Sequence, residues 1–307
     1  MKKLEVIVLL SIYNGEKFLN KQLESLFKQK TSCNITIYYR DDGSTDKSMD
    51  IIESWKKYLS IIECPSSRKQ NLGPALSFWE LMNTAPDADF YTFCDQDDIW
   101  YENKIEKAVR SICDKKDAVL YCSNCNIIDE NDKLIKKLYQ EQRPILTLEA
   151  QLVSGAMQGC AMLFNKKLLN IIKESKISNI PMHDIVIMYI ALINGTVIYE
   201  HNPLFGYRMH SNNVVAKDNK KFSERLKATY QLWFDDGKKY PIQDMASDLI
   251  KNYSNILKDE DMVYLRLLEN YKKSIIKKIK IITDKKTQSV NSKGLRSFKI
   301  RILLGIL

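Results

Sequence analysis

Residues 90–100 read FYTFCDQDDIW, and this stretch decides the fold. Phe90–Cys94 is apolar and predicts a buried strand. The strand runs directly into three acidic residues, Asp95, Asp97 and Asp98. Neighbouring carboxylates repel one another and lose hydration when they are enclosed, unless a cation lies between them. The stretch therefore predicts a strand that ends at a divalent-metal site, rather than a solvated acidic turn.

The first hundred residues alternate strands with helices. The predicted strands are Leu4–Leu10, Ile35–Tyr39, Leu59–Glu63 and Phe90–Cys94. The predicted helices are Phe18–Phe27, a helix that Ser44 or Thr45 caps and that extends to Tyr58, and Pro74–Met82. Repeated strand–helix units of this kind predict an α/β fold with a doubly wound, mostly parallel sheet.

Polar clusters follow three of these strands: Ser11–Asn14, Asp41–Asp46 and Asp95–Asp98. In sheets of this class, ligands bind beyond the carboxyl ends of the strands. We therefore expect the three clusters to line one site. Taken alone, the first two clusters are also typical of turns. An aromatic residue beside a strand-end carboxylate is, in addition, suited to hold a nucleobase.

The pattern loosens after the fourth strand and predicts a mixed second half. Strands are expected at Ala118–Cys122, Cys160–Phe164, Thr196–Tyr199 and Leu204–Arg208, and a helix at His183–Ile193. Beyond Lys220 the chain is predicted to be helical. Helical spacing is found for the apolar residues Phe222, Leu226, Tyr230 and Trp233, and further helices are expected at Leu249–Leu257 and Met262–Tyr271.

Charge and cysteine content limit the function classes. The net charge is +9, but residues 271–307 carry eleven basic residues and one acid, which leaves −1 on the first 270 residues. A nucleic-acid-binding domain would spread basic and aromatic residues over its main body, so we expect no nucleic acid. The seven cysteines have no repeated spacing. Cys122 and Cys125 form a lone C-x-x-C without a second pair, so buried structural thiols are expected.

Six motifs occur in order along the chain. They are Ser11–Glu16 (SIYNGE), Asp41–Asp46 (DDGSTD), Asn71–Pro74 (NLGP), Asp95–Trp100 (DQDDIW), Met182–Asp184 (MHD) and Tyr207–Asn213 (YRMHSNN). Together they resemble glycosyltransferase family 2, and DQDDIW with the later His-Asp and Y-R-x-H is most similar to its bacterial rhamnosyltransferase-like members. The resemblance implies a GT-A fold over 1–215, with a nucleotide-sugar half (1–100) and an acceptor half (101–215). A helical C-terminal region with a basic amphipathic tail would follow over 216–307.

The resemblance also implies a role for each motif residue. The donor-nucleotide residues would be Ser11, Tyr13, Asp41, Asp42, Arg68, Asn71 and Asp95. The metal ligands would be Asp97, Asp95 and His210. The diphosphate or acceptor residues would be Arg208, Asp98, Trp100, His183 and Gly159. Asp184 would be the catalytic base. The family more often has Glu where this chain has His183, so that residue is either a neighbour that tunes Asp184 or a local variant.

The activity that the resemblance implies is an inverting, metal-dependent sugar transfer with Mn²⁺ or Mg²⁺. The donor would be a nucleotide-diphosphate sugar, first dTDP-rhamnose and next a UDP-hexose. The acceptor would be a saccharide or a lipid-linked hydroxyl in bacterial cell-surface polysaccharide synthesis. One alternative is a sugar nucleotidyltransferase, although that class needs a Gly-rich phosphate loop and Ser11–Glu16 has only Gly15. A non-catalytic nucleotide- or membrane-binding module is the alternative from another class.

The C-terminal tail, Leu295–Leu307, is apolar and basic (LRSFKIRILLGIL). With Lys272–Lys286 it could lie on an anionic membrane surface, or pack on its own domain as a solvated basic helix. The C-terminal helices could also pair two subunits into a homodimer. No apolar stretch reaches the ~18 residues that cross a bilayer, and the N-terminal apolar run is too short for a secretory signal. We therefore expect a cytoplasmic protein, peripheral on the inner face of the plasma membrane if the tail binds lipid.

Overall fold

A computed structural model describes residues 3–67, 70–139, 141–155, 157–178, 180–210 and 242–307. The chain divides into two compact units. The first comprises Met1–Arg143, Met157–Glu174 and Met182–His210; the second comprises Pro144–Ala156, Ser175–Pro181 and Ser211–Leu307. The domain boundary predicted between 215 and 216 stays a prediction, because the second unit also takes in two earlier segments.

The first unit contains all the described strands. They are β1 (Glu5–Ile12), β2 (Asn34–Asp41), β3 (Ser60–Glu63), β4 (Phe90–Asp95), β5 (Ile99–Trp100), β6 (Ala118–Ile128), β7 (Leu134–Lys136), β8 (Met162–Asn165) and β9 (Gly195–Arg208). The described helices of the chain are α1 (Leu19–Phe27), α2 (Ser48–Trp55), α3 (Gly73–Thr84), α4 (Lys104–Ile112), α5 (Leu148–Val153), α6 (Lys166–Glu174), α7 (His183–Asn194), α8 (Ile242–Tyr253), α9 (Asp259–Glu269), α10 (Ile275–Thr283) and α11 (Ser292–Leu304).

Strand β1 lies inside the sheet, and its neighbours align the polar clusters. The order β3-β2-β1-β4 is parallel throughout. The side chains of Val6–Leu10 are buried because helices cover both faces of this part of the sheet. Ser11 pairs with Arg40 on one side and with Asp95 on the other. The ends of β1, β2 and β4 therefore lie side by side, as the sequence predicts.

The other half of the sheet is mixed, as the looser pattern predicts. It continues from β4 through β8, β6 and β9 to β5. Strand β8 is antiparallel to both β4 and β6, whereas β9 is parallel to β6. Strand β8 thus runs against both of its neighbours, but the long pairings of β1 with β2 and β4, and of β6 with β9, are parallel, so the central sheet is mostly parallel, as expected.

Two predicted strands, Thr196–Tyr199 and Leu204–Arg208, form the single strand β9. The register between β6 and β9 shifts around Asn124, which faces Pro203. Proline has no N–H to donate to a ladder and is tolerated in a strand at such an irregularity. The proline thus marks a bulge within one strand, where the sequence pattern suggested a break.

The helix expected after β2 begins later than predicted. It starts at Ser48, and neither Ser44 nor Thr45 caps it. The Ser44 hydroxyl instead accepts a hydrogen bond from the Asn14 N–H (2.9 Å), and the Thr45 N–H donates to the Asn14 side chain (2.8 Å). These contacts join the loops that follow β1 and β2.

The second unit is helical in its described part. The predicted helices at Leu249–Leu257 and Met262–Tyr271 correspond to α8 and α9. The helical segment predicted around Phe222, Leu226, Tyr230 and Trp233 lies outside the described residues, as do Ser211–Asn213 of the sixth motif. Tyr264 on α9 hydrogen-bonds Thr287 (2.8 Å) between two buried side chains. All seven cysteines are free, and six of them are buried, as expected for structural thiols.

Strand β9 approaches β6 closely at Gly195, the first residue of β9, and a substitution there tests this contact. A Cβ atom there would lie 2.0 Å from the carbonyl oxygen of Ala118, which is fixed backbone. We expect Gly195→Ala to lower the free energy of unfolding by about 1–3 kcal/mol, because the strands must separate to admit a methyl group. Chemical denaturation measures this change. Thr196→Ala, at the next exposed position, is the control and should cost less than half as much; equal losses would contradict the account.

Candidate active site

The loops after β1 and β2 are tied together by side-chain-to-backbone hydrogen bonds. Besides the Asn14 contacts, the Gly15 N–H donates to Ser48 (2.8 Å) and the Glu16 N–H donates to Asp46 (2.9 Å). Asn14 has a positive φ of 48°, a conformation that Asn tolerates better than most residues. The DDGSTD motif therefore holds the SIYNGE loop in place, in addition to any contact with a ligand.

Tyr13 lies at the end of β1 and is held by the DQDD turn. Its N–H donates to the Gln96 side-chain oxygen, and its carbonyl accepts from the Gln96 amide, both at 2.9 Å. The ring is 51% exposed, so its face is accessible to a ligand. Gly15 leaves room for this Gln96 side chain, since a Cβ atom at Gly15 would lie 2.4 Å from the same Gln96 oxygen.

Asp42 is buried and engaged by the protein. Its carboxylate forms an ion pair with Arg40, a fully buried guanidinium. It also accepts the backbone N–H groups of Leu72 (2.7 Å) and Gly73 (2.8 Å). Asp42 thus fixes the loop that begins α3. The predicted contact of its carboxylate with the nucleobase would compete with these hydrogen bonds.

The other predicted donor residues surround this loop. Asn71 donates from its side chain to the Asp42 carbonyl (2.9 Å). Ser11 shares a hydrogen bond with Ser77 on α3 (2.7 Å). Asp41 is buried and accepts the Ser44 N–H (2.9 Å), which shapes the turn. Arg68 lies outside the described residues.

The three acids of DQDD have different surroundings. Asp98 is fully buried and accepts the Arg208 N–H (3.2 Å). Burial and the nearby Asp97 raise the pKa of Asp98 well above its usual range. Burial, with the charges of Asp97 and Asp184, raises the pKa of Asp95 to about 7. The burial of Asp98 argues against its predicted contact with the diphosphate or acceptor. Asp98 instead stabilises the turn through its hydrogen bond with the Arg208 N–H.

Asp97 and His210 lie in direct contact, as their predicted shared role requires. The His210 Nε2 atom is 2.7 Å from a carboxylate oxygen of Asp97. The imidazole packs on the Phe18 ring with a centroid separation of 5.0 Å. Phe18, which the sequence interpretation does not single out, thereby orients the histidine at the start of α1.

Arg208 is fully buried and ties the turn to the neighbouring loop. Its guanidinium donates to the carbonyls of Asp97 and Asp129, both at 2.7 Å, and pairs with Asp132 (2.6 Å). It also lies 4.6 Å from the centre of the Phe18 ring. The predicted neutralisation of a diphosphate by Arg208 finds no support in this arrangement, because the side chain is enclosed by protein contacts.

Asp184 is the second residue of α7. Its carboxylate accepts the N–H groups of Gly159 (3.1 Å) and Ile185 (2.8 Å). Enclosure raises the pKa of Asp184 to about 6. Its charge in turn contributes to the raised pKa of Asp95, so the carboxylates of β4 and α7 share one electrostatic environment.

His183 is a packing residue in this structure. Its ring is buried between Phe78 (centroid separation 4.2 Å) and Phe93 (4.6 Å), and neither ring nitrogen has a hydrogen-bond partner among the described residues. Burial lowers the pKa of His183 to about 3, so the imidazole is neutral. Gly159 leaves room for it, since a Cβ atom there would lie 2.4 Å from Nε2. The close approach predicted for an acceptor at Gly159 is thus made by His183.

Trp100 is also buried, contrary to the exposed position that acceptor contact would require. The ammonium of Lys104 lies 3.8 Å from the centre of its ring. Burial lowers the pKa of Lys104 to about 8. Trp100 and Lys104 form part of the support under the DQDD turn.

The donor atoms present fit a hard divalent cation. Among the described residues, Asp95, Asp98 and Cys160 offer ligand atoms that lie within 4.8 Å of one another. Burial raises the pKa of the Cys160 thiol well above its ordinary value. A sulfur ligand suits soft metals rather than Mg²⁺ or Mn²⁺. One oxygen of Asp98 is buried without a hydrogen-bond partner. The less buried Asp95 and Asp97 could hold Mg²⁺ or Mn²⁺, which prefer oxygen ligands, with His210 in contact with Asp97.

Comparison with known proteins identifies the family. The family model described as "Glycosyl transferase family 2" matches residues 7–171, more than half of the chain. The chain belongs to glycosyl transferase family 2. It is 30% identical over 224 residues to the dTDP-rhamnosyl transferase RfbG of Shigella flexneri, a match that covers 67% of this chain and 73% of the relative. These matches confirm the family resemblance found in the sequence, and the family model spans the first four motifs.

Two further matches agree with this assignment. The chain is 30% identical over 104 residues to a UDP-Gal:alpha-D-GlcNAc-diphosphoundecaprenol beta-1,3-galactosyltransferase of Escherichia coli, which covers 34% of this chain and 37% of the relative. The fold is similar to that of S. aureus TarS 1-349 in complex with UDP-GlcNAc, with a TM-score of 0.56 and 18% identity over 98% of this chain and 90% of that one. The protein is therefore a glycosyltransferase with a GT-A-type fold.

Gly159 and His183 give a direct test of how this family 2 member holds Asp184. Gly159→Ala should push the imidazole, which Phe78 and Phe93 confine, and so displace the N–H that Asp184 accepts. We expect kcat to fall on the order of 100-fold, as a misplacement of about 1 Å can cause, while donor binding stays near wild type. Steady-state kinetics and nucleotide titration measure the two effects.

The double variant Gly159→Ala/His183→Ala provides the control. Removing the imidazole makes room for the new methyl group, so a substantial part of kcat should return. If the double variant is as slow as the single one, the clash with His183 does not explain the loss.

Proposed function

We propose that this glycosyltransferase moves a sugar from a nucleotide-diphosphate donor to a hydroxyl of a saccharide or lipid-linked acceptor, with inversion at the anomeric carbon. The process served would be bacterial cell-surface polysaccharide synthesis. The observation that carries the proposal is that Asp184 accepts the Gly159 N–H (3.1 Å), while the side chain of the next residue, Cys160, lies within 4.8 Å of Asp95 and Asp98. This contact links the start of α7 to the acids at the end of β4, beside the ends of β1 and β2.

The nucleoside would lie over the ends of β1 and β2. Tyr13 has an exposed ring on a backbone that Gln96 fixes, which suits stacking on a base. Asp42, through its bonds to Leu72 and Gly73, would position the loop that encloses the base. The fixed backbone of both loops lowers the entropy lost when the donor binds.

The diphosphate would lie at the end of β4. Asp97 and Asp95 would hold a cation there, with His210 as a third group in contact with Asp97. A bound Mn²⁺ or Mg²⁺ supplies positive charge that stabilises the departing diphosphate. Asp98 and Arg208 lie beneath and would keep the turn in place.

Asp184 would accept the proton of the attacking hydroxyl. A carboxylate whose pKa is about 6 is mostly ionised at neutral pH and is a stronger base than an ordinary aspartate. Two backbone N–H groups orient it. One displacement with one base gives inversion.

For the donor sugar, we propose dTDP-rhamnose first and a UDP-hexose next. The rhamnose proposal is supported by RfbG, whose name states that donor, and by the DQDDIW sequence. The UDP alternative is favoured by the galactosyltransferase of E. coli and by TarS, which binds UDP-GlcNAc. Membership of family 2 argues against a nucleotidyltransferase or a module without activity.

The base assignment is tested with Asp184→Asn. The variant keeps the shape of the side chain and can keep one of the two backbone contacts, which reach different carboxylate oxygens. It cannot take a proton, so we expect transfer to fall by about 10²–10⁴-fold. Nucleotide binding should stay near wild type. Product formation and titration calorimetry measure the two quantities. A variant that retains most of its turnover would place the base elsewhere.

Cation dependence is tested by release of nucleoside diphosphate from a panel of donors. With dTDP-rhamnose and Mn²⁺ or Mg²⁺ we expect turnover that chelation removes and that added cation restores. Asp97→Asn should raise the cation concentration needed for half-maximal rate by at least about tenfold, because a direct ligand is weakened. Asp129→Asn, in the loop that follows β6, is the matched control.

Three results would oppose the proposal. Turnover that chelation leaves unchanged would remove the cation from the mechanism. A product that retains the anomeric configuration of the donor would exclude the single displacement. Turnover with UDP-hexoses alone would replace rhamnose as the donor sugar.

A further inference from the structure

We propose that helices α10 and α11 form a docking surface for an anionic lipid bilayer. We call this the basic apolar surface and define it by six aliphatic side chains that are 42–64% exposed: Ile275, Ile276, Ile279, Ile300, Leu303 and Leu304. The proposal concerns the second unit alone and does not depend on the sugar, the cation or the catalytic base.

Helix α10 is apolar on two opposite sides. Ile281 is fully buried and packs within the second unit. Ile275, Ile276 and Ile279 recur at helical spacing on the other side and are exposed. A surface helix normally carries charged or polar residues on that side. The exposed isoleucines are therefore unexplained by the packing of the helix on its own unit.

Helix α11 repeats the arrangement. Phe298 and Ile302, four residues apart, are fully buried. Ile300, Leu303 and Leu304 lie on the opposite side and are exposed. The buried side is accounted for by the second unit, whereas the exposed aliphatic side is not.

The two helices are held together as a pair. The Lys278 ammonium on α10 donates to the Leu303 carbonyl on α11 (3.0 Å), and the Tyr271 hydroxyl donates to the Leu307 carbonyl (2.8 Å). Tyr271 is fully buried. The exposed side chains of α10 and α11 thus belong to one fixed element.

The charge of this segment selects the partner. Residues 271–307 carry a net charge of +10. Lys286 is paired with Glu149 (2.7 Å) and Glu260 (3.1 Å), but no carboxylate among the described residues forms an ion pair with Lys272, Lys273 or Lys277. Basic side chains beside exposed aliphatic ones match the boundary between anionic headgroups and acyl chains.

Two other partners fit less well. A second copy of the chain would bring two segments of +10 together, and this repulsion opposes pairing through this surface. A single-stranded nucleic acid would use aromatic rings for stacking. The two aromatic residues of 271–307, Tyr271 and Phe298, are fully buried.

Sedimentation with vesicles tests the proposal on the full-length protein. We expect binding to vesicles of phosphatidylglycerol and phosphatidylcholine, little binding to phosphatidylcholine alone, and weaker binding at high salt. The variant Ile275→Ser/Ile276→Ser/Ile279→Ser should bind at least about tenfold more weakly, because its apolar contact is removed. Lys272→Gln/Lys273→Gln/Lys277→Gln should lose about 100-fold, since each basic residue near an anionic surface strengthens binding about fivefold.

The matched control is Ile256→Ser/Val263→Ser, which removes two exposed aliphatic side chains of the second unit outside the surface. It should bind vesicles like the wild type, and circular dichroism should show all variants folded. The absence of binding to anionic vesicles overturns the proposal, as does equal binding by the wild type and the isoleucine variant. A concentration-dependent dimer that the isoleucine variant dissociates also overturns it, and assigns the surface to a second copy.

Discussion

Repulsion among enclosed carboxylates is the constraint on which the first unit depends. Asp95, Asp97 and Asp98 follow β4 within four residues, and Asp184 joins them from α7. Burial raises the pKa of Asp95, Asp98 and Asp184, and neighbouring like charges add to the effect at Asp95 and Asp98, which reflects the free-energy cost of the ionised forms. The protein offsets part of this cost with backbone N–H groups, the Cys160 thiol and the imidazole of His210. A cation bound among them would offset the rest, so cation binding and local stability would be coupled at this edge.

A second layer of contacts makes the edge rigid. Arg208 binds the Asp97 carbonyl and the loop after β6, while its backbone N–H reaches Asp98. Arg40 plays the corresponding part under the loop that begins α3, through its ion pair with Asp42. A guanidinium suits both positions because its planar donors can satisfy several acceptors at once. Arg40 and Arg208, both fully buried, therefore fix backbone positions in this family 2 enzyme.

The sequence predicts the framework well and the roles of individual side chains less well. The strand ends of β1, β2 and β4 are visible because apolar runs stop at polar clusters, and the pairing of Ser11 with Asp95 follows from parallel strands. The sequence does not show whether a side chain within a motif is exposed or buried. Trp100, Asp98 and His183 are predicted ligand contacts in DQDDIW and MHD, but their side chains lie in the core. Arg40 offered a usable signal, since a charge within a buried strand requires a partner. The sequence contains no comparable signal for Gln96 or Phe18, because the residues that they contact, Tyr13 and His210, are distant in sequence.

The proposed mechanism requires that Asp97 and Asp184 face one ligand. The most direct measurement is a crystal structure with Mn²⁺ and dTDP, in which anomalous scattering locates the metal independently of the protein. The account predicts manganese bound by Asp97 and by the diphosphate, with the Asp184 carboxylate opening into the same cavity on the acceptor side. Manganese bound away from Asp97, or an Asp184 side chain separated from that cavity by protein, would contradict it.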